Sequence, residues 1–200
     1  MISPERSSGE TMKNIIEESI KDSVRAHEGL LKDEAANIEK AARSIIKSLR
    51  LGGKVLIFGN GGSAADSQHM AAELVGRFKK ERRALAAIAL TTNTSTLTAV
   101  GNDYGYDVVF SRQVAALGKK GDVAIGISTS GNSANVLNAV REARSLEMST
   151  ISLTGCDGGK LSKACDISII VRAKDTPRVQ ESHITIIHIL CDLIEKELFK

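Results

Sequence analysis

Two stretches of this 200-residue chain carry the residue types that hold an anion. Gly59-Asn60-Gly61-Gly62-Ser63 lies between an apolar run and a helical one. Glycines at such a junction let the backbone approach a ligand, and the amides of the following helix N-terminus favour negative charge. With Ala64 the segment fits the loose pattern Gly-x-Gly-x-x-Ala, but the next apolar run ends Leu90-Thr91-Thr92-Asn93, without an acid for a ribose hydroxyl. A nicotinamide cofactor is therefore disfavoured. Ser128-Thr129-Ser130-Gly131-Asn132-Ser133 follows a second apolar run and offers a neutral nest of hydroxyls and amides suited to a phosphate monoester. It lacks the lysine of a triphosphate-binding loop, so a small phosphorylated metabolite is the expected guest. The plainer alternatives are a tight strand-to-helix turn for the first stretch and a serine-rich helix cap for the second, although one capping residue would suffice.

A third group points to acid-base or metal chemistry. His69 and Glu73 are four residues apart, on one face of a helix. Gln180 and His188 are eight apart on the last helix, about 80° around it, so both can face one site. Two imidazoles, a carboxylate and an amide oxygen are together a possible zinc set, with Gln the uncommon member. Singly, each histidine is more simply a satisfied core or interface group. Arg77 is expected to pair with Glu73, while His27 and His183 read as structural or solvated.

These residues need a scaffold. Met12 to Arg50 repeats apolar residues at three- and four-residue steps, a helical hairpin that Gly52-Gly53 ends. Short apolar runs follow at Lys54 to Phe58, Leu85 to Leu90, Val123 to Ile127, Thr150 to Leu153 and Ile167 to Val171. Little polar alternation marks them as strands buried on both faces. Helical stretches are expected at Ala64 to Phe78, Thr94 to Leu117, Ala134 to Glu147, Gly159 to Ala164 and Val179 to Phe199. Strands alternating with helices predict an α/β fold, a doubly wound αβα sandwich with a five-stranded parallel sheet. Residues 1 to 11 read as a disordered extension, ahead of a single domain over 12 to 200. The last helix is apolar almost all round, which calls for a covering helical layer or a second subunit.

Composition narrows the partners. Hydrophobic residues are 42% and charged residues 26%, the balance of a globular protein. The net charge of +3 is scattered and aromatics are only 3%, which argues against nucleic acid. No apolar run is long enough to span a membrane. Cys156, Cys165 and Cys191 form no Cys-x-x-Cys pair, read as core fillers and fit a reducing cytoplasm.

The stretches Gly59 to Asp66, Gln68 to Glu73, Gly126 to Ser133, Gln180-Glu181 and His188 together resemble bacterial sedoheptulose 7-phosphate isomerases, the phosphoheptose isomerase family of sugar isomerase (SIS) domains. The likeness runs from about Met12 to the C-terminus. It implies that His69, Glu73, Gln180 and His188 hold zinc and that Glu73 and His188 are the acid-base residues. It also implies substrate contacts from Asn60, Gly61, Gly62, Ser63, Glu73, Asn102, Asp103, Ser128, Thr129, Ser130, Ser133 and Gln180. A cytoplasmic homotetramer with active sites at subunit interfaces is implied too. The implied reaction turns D-sedoheptulose 7-phosphate into D-glycero-D-manno-heptose 7-phosphate, toward the heptose of lipopolysaccharide. Such a shift of a carbonyl from C2 to C1 needs a base at C1 and a proton shuttle between two oxygens. A glutamate is already ionised at pH 7 and an imidazole titrates near neutrality. Two alternatives remain: a non-catalytic sugar-phosphate regulator or replication-initiation scaffold, which needs no acid-base pair, and an isomerase of another sugar phosphate.

Overall fold

A computed structural model describes residues 11–199. The proposed extension falls outside them apart from Thr11, whose side chain accepts the backbone N–H of Asn14 and so starts the first helix. The chain runs α1 (Met12–Asp33), α2 (Ala35–Arg50), β1 (Val55–Gly59), α3 (Gly62–Val75), β2 (Ala87–Ala89), α4 (Thr94–Tyr104), α5 (Val109–Leu117), β3 (Val123–Ser128), α6 (Ala134–Ser145), β4 (Ser149–Gly155), α7 (Gly159–Ala164), β5 (Ile167–Val171) and α8 (Thr176–Leu198). The five strands form one parallel sheet in the order β2-β1-β3-β4-β5.

Strand residues alternate between two cores. Val55 and Ile57 of β1 and Val123, Ile125 and Ile127 of β3 pack toward the side of α1, α2, α3 and α8. Leu56, Phe58 and Ala124 pack toward α5, α6 and α7. Both faces of the sheet are therefore apolar, which is why its strands read as unbroken hydrophobic runs.

Three expected elements differ. The long helix over 94 to 117 is two, because Gly105 adopts φ +89 and a 3-10 turn at Tyr106–Val108 redirects the chain. The second strand keeps only Ala87–Ala89, although Leu85 and Leu90 are buried beside it. Helix α3 stops at Val75 instead of Phe78 because Arg82 folds back on it, donating to the carbonyls of Glu73, Leu74 and Gly76 at 2.7 to 2.9 Å. Arg82 is held in turn by Glu195 of α8 at 3.2 Å, and that carboxylate also accepts the backbone N–H groups of Phe78, Lys79 and Lys80. Both side chains are almost wholly buried.

The contacts of Gly62 with Gln180, His69 with His188 and Phe78 with Glu195 show α3 and α8 running side by side in one direction. On the outer side of this layer the apolar residues are not covered. A cavity of about 910 Å³ lies between α1, α2 and α8, lined among others by Leu31, Ile38, Ile189 and Leu193. Ile16, Ile20 and Val24 form an exposed stripe at four-residue steps along α1. No helix among the described residues is long and apolar enough to cross a membrane.

Candidate active site

Strands β1 and β3 are neighbours paired Gly59 to Ile127, so the two ligand-type loops leave the same edge of the sheet side by side. That edge, beyond the carboxyl ends of parallel strands, is where open α/β folds bind ligands. In the serine loop Ser128 Oγ lies 2.9 Å from Ser133 Oγ and 3.4 Å from Ser130 Oγ. Ser130 Oγ accepts the Asn132 N–H at 3.2 Å. Ser133 stands at the N-cap of α6 yet makes no capping bond with its side chain. The three hydroxyls thus converge on one point instead of serving the helix. Gly131 turns the loop with φ +63, and a Cβ there would collide with the Gly158 carbonyl. Asn102 and Asp103 lie on the last turn of exposed α4, hydrogen-bonded to each other at 2.8 Å. The turn that follows carries Tyr106 back to Asn60, with its hydroxyl 3.4 Å from Oδ1.

The candidate acid-base residues sit lower. His69 and Glu73 project from α3 and His188 from α8, 119 residues later than His69. His69 Nε2 is 3.0 Å from His188 Nε2 and 3.3 Å from Glu73 Oε1. Two facing imidazole nitrogens at that distance need a proton or a cation between them, since two lone pairs would repel. The His188 ring also rests on Phe78, with centroids 5.7 Å apart. His69 and Glu73 are partly open to solvent.

As a metal donor set the group is incomplete. Neighbouring donors in a tetrahedral zinc site with bonds of about 2.0–2.1 Å are about 3.3 Å apart, the His69–Glu73 separation, while the two imidazole nitrogens at 3.0 Å stand slightly closer. Gln180 is not among them, because its side chain lies against Gly62, two turns before His188. Among the described residues no three His, Cys, Asp or Glu side chains form a finished metal site. Donor type and spacing fit zinc, and Gln180 would have to swing toward His188 to complete the set.

Asp66 was not singled out by sequence, although it shares the α3 face of His69 and Glu73 at spacings of three and seven. Burial pushes its carboxyl up to about 6, against the pull of His69, and Oδ2 has no hydrogen-bond partner. The other expectations divide. Arg77 does not pair with Glu73 but lies 3.8 Å from Glu81. His27 bridges helices, from the Ser23 carbonyl at 2.7 Å to Thr185 Oγ1 at 2.9 Å. His183 is fully buried, 3.2 Å from the Thr154 carbonyl. Burial drives its pKa down to about 4, with the Thr154 contact opposing. Cys191 is a core filler and Cys165 is partly buried, their thiols pushed up to about 12 by burial, but Cys156 is exposed at φ +55.

The class of the domain is shown by the SIS domain profile, which matches residues 19–155. The chain belongs to the phosphoheptose isomerase family of these domains. It is 64% identical over 160 residues to the phosphoheptose isomerase of Helicobacter hepaticus, covering 80% of this chain and 82% of that one. It is 55% identical over 190 residues to that of Clostridium acetobutylicum, covering 94% and 97%. The structure of a phosphoheptose isomerase from Francisella tularensis matches with TM-score 0.91 at 41% identity, over 94% of this chain and all of the other.

Proposed function

We propose that this chain is an aldose-ketose isomerase that converts D-sedoheptulose 7-phosphate to D-glycero-D-manno-heptose 7-phosphate through an enediol or enediolate. The observation that carries the reading is the meeting of Glu73 and His188 around His69, from two helices far apart in sequence. The hydroxyls of Ser128, Ser130 and Ser133, with Thr129, hold the phosphate. The serine-loop hydroxyls and the His69-Glu73-His188 group are two separate clusters, which suits a substrate with phosphate at one end of its carbon chain and the reacting carbonyl at the other.

Glu73 takes the C1 proton and returns it at C2. His188 moves the proton between the C1 and C2 oxygens, while His69 holds His188 in place. His69, Glu73, Gln180 and His188 would hold a zinc ion, which when bound would supply Lewis acidity at the carbonyl and the developing enediolate. Gly61, Gly62, Ser63, Asn102 and Asp103 border the sugar.

The uncovered α1, α2 and α8 surface supports a homotetramer, with partner chains closing the partly open His69-Glu73 face at subunit interfaces. The site of action is the cytoplasm, and the product feeds the heptose of lipopolysaccharide. Incubation with sedoheptulose 7-phosphate, and with fructose 6-phosphate as control, while NMR follows the C1 and C2 protons tests the assignment. Conversion of the heptulose alone is expected. Preference for the hexose would move the chain to another substrate, and no turnover of either would leave a sugar-phosphate receptor.

A further inference from the structure

The side-chain amides of Asn60 and Asn135 face each other in a reciprocal pair. Asn60 Nδ2 donates to Asn135 Oδ1 at 2.9 Å, and Asn135 Nδ2 donates to Asn60 Oδ1 at 2.9 Å. Asn60 is the first residue beyond β1, and Asn135 is the second residue of α6, 75 positions later. Asn135 is buried at 4% exposure, and its Oδ1 also accepts the backbone N–H of Val136 at 2.9 Å. The Tyr106 hydroxyl approaches Asn60 Oδ1 from the solvent side at 3.4 Å. Each polar atom of the Asn60 side chain therefore has a protein partner before any ligand arrives.

The pair joins the two loops that form the ligand edge. Each loop turns through a glycine with positive φ, Gly61 at +55 and Gly131 at +63, and glycine gives a turn freedom as well as shape. A buried amide stripped of its partner loses its hydrogen bonds without regaining water, so the pair resists being broken from either side. The contact therefore fixes how the glycine-loop backbone stands against the serine-loop hydroxyls.

We propose that Asn60 and Asn135 act as an amide clamp between the sugar and phosphate subsites, with Asn135 a positioning residue that touches no substrate and Asn60 contributing backbone, not side chain, to the sugar. The proposal deepens the isomerase reading and rests on it for its kinetic arm. A clamp acts as a unit, so its two halves should fail together.

The test is a double-mutant cycle of Asn135→Ala, Asn60→Ala and the double variant, scored by kcat and KM for sedoheptulose 7-phosphate, with hydrogen-deuterium exchange of the same proteins. Each single change is expected to raise KM about tenfold with kcat within about threefold, and the double change to cost no more than the worse single. Exchange should quicken in residues 59–63 and 128–133 together in either single variant. Multiplying KM effects would show Asn60 binding substrate independently, and unchanged KM and exchange in Asn135→Ala would remove the clamp. If Asn135→Ala does not fold, Asn135→Asp keeps the acceptor for Val136 but sets a carboxylate oxygen against Asn60 Oδ1, and it must show the same paired change. Should the unaltered protein leave the heptulose untouched, the isomerase reading fails while the exchange data still decide the clamp.

Discussion

The serine loop and the His69-Glu73-His188 group differ in what holds them. The loop is tied on every side: Ser128 to Ser133, Gly131 N–H to the Ser128 carbonyl at 3.0 Å, the Gly131 carbonyl to Leu161 N–H at 2.9 Å, and Asn132 Oδ1 to Lys160 N–H at 3.2 Å. The His69-Glu73-His188 group depends on the alignment of two helices, and its His69 and Glu73 side chains are partly open to solvent. On the proposed reading a phosphate monoester keeps its shape through the reaction, which a rigid cradle would serve. The reacting carbons change hybridisation and exchange protons, so their partners need room to move.

This contrast orders the expected effects. Glu195→Ala should cost most, about 3–5 kcal/mol in denaturant unfolding, since it strands buried Arg82 and three backbone N–H groups and frees α8 from the end of α3. A loss under about 1 kcal/mol would mean that another contact aligns the helices. Glu73→Gln should leave fold and inorganic phosphate binding near normal while turnover falls about 10²-fold or more. Substantial remaining activity would take the base away from Glu73. Ser130→Ala should raise KM about tenfold with a smaller fall in kcat, because the cradle grips ground and transition states alike. A pure kcat loss would place Ser130 with the reacting carbons.

A further effect is in pH. His183 is neutral in the fold with its pKa near 4, while the unfolded chain protonates it near 6.5. Between those values the unfolded state binds more protons, so this residue lowers stability as pH falls from about 6.5 to 4. Asp66, raised to about 6, works in the opposite sense: its ionisation weighs on the fold as pH rises past about 4 to 6. The stability difference between His183→Gln and the parent isolates the first, and it should shift in favour of the variant across that window. A flat difference would mean that His183 is solvated.

Much of this was legible in the sequence because period and residue type report burial directly. Strands apolar on both faces showed as unbroken runs, and the cluster of hydroxyls beyond β3 showed in composition. Tertiary contacts were hidden. Nothing near Val75 foretells that Arg82 will end α3, Gly105 breaks a pattern whose apolar residues continue beyond it, and the burial that raises Asp66 comes from packing around α3. Asn60 lies just beyond β1, as its loop pattern indicated, but its partner Asn135 lies inside an ordinary helix and carries no local signal.

The most direct measurement of the central claim is a crystal structure of Glu73→Gln with sedoheptulose 7-phosphate bound. The account predicts the phosphorus among the hydroxyls of Ser128, Ser130 and Ser133, with C1 and C2 of the same molecule within hydrogen-bonding reach of residue 73 and His188. A sugar whose phosphate fills the cradle while its carbonyl end points away from both residues, in its own chain and in every neighbouring one, would contradict it.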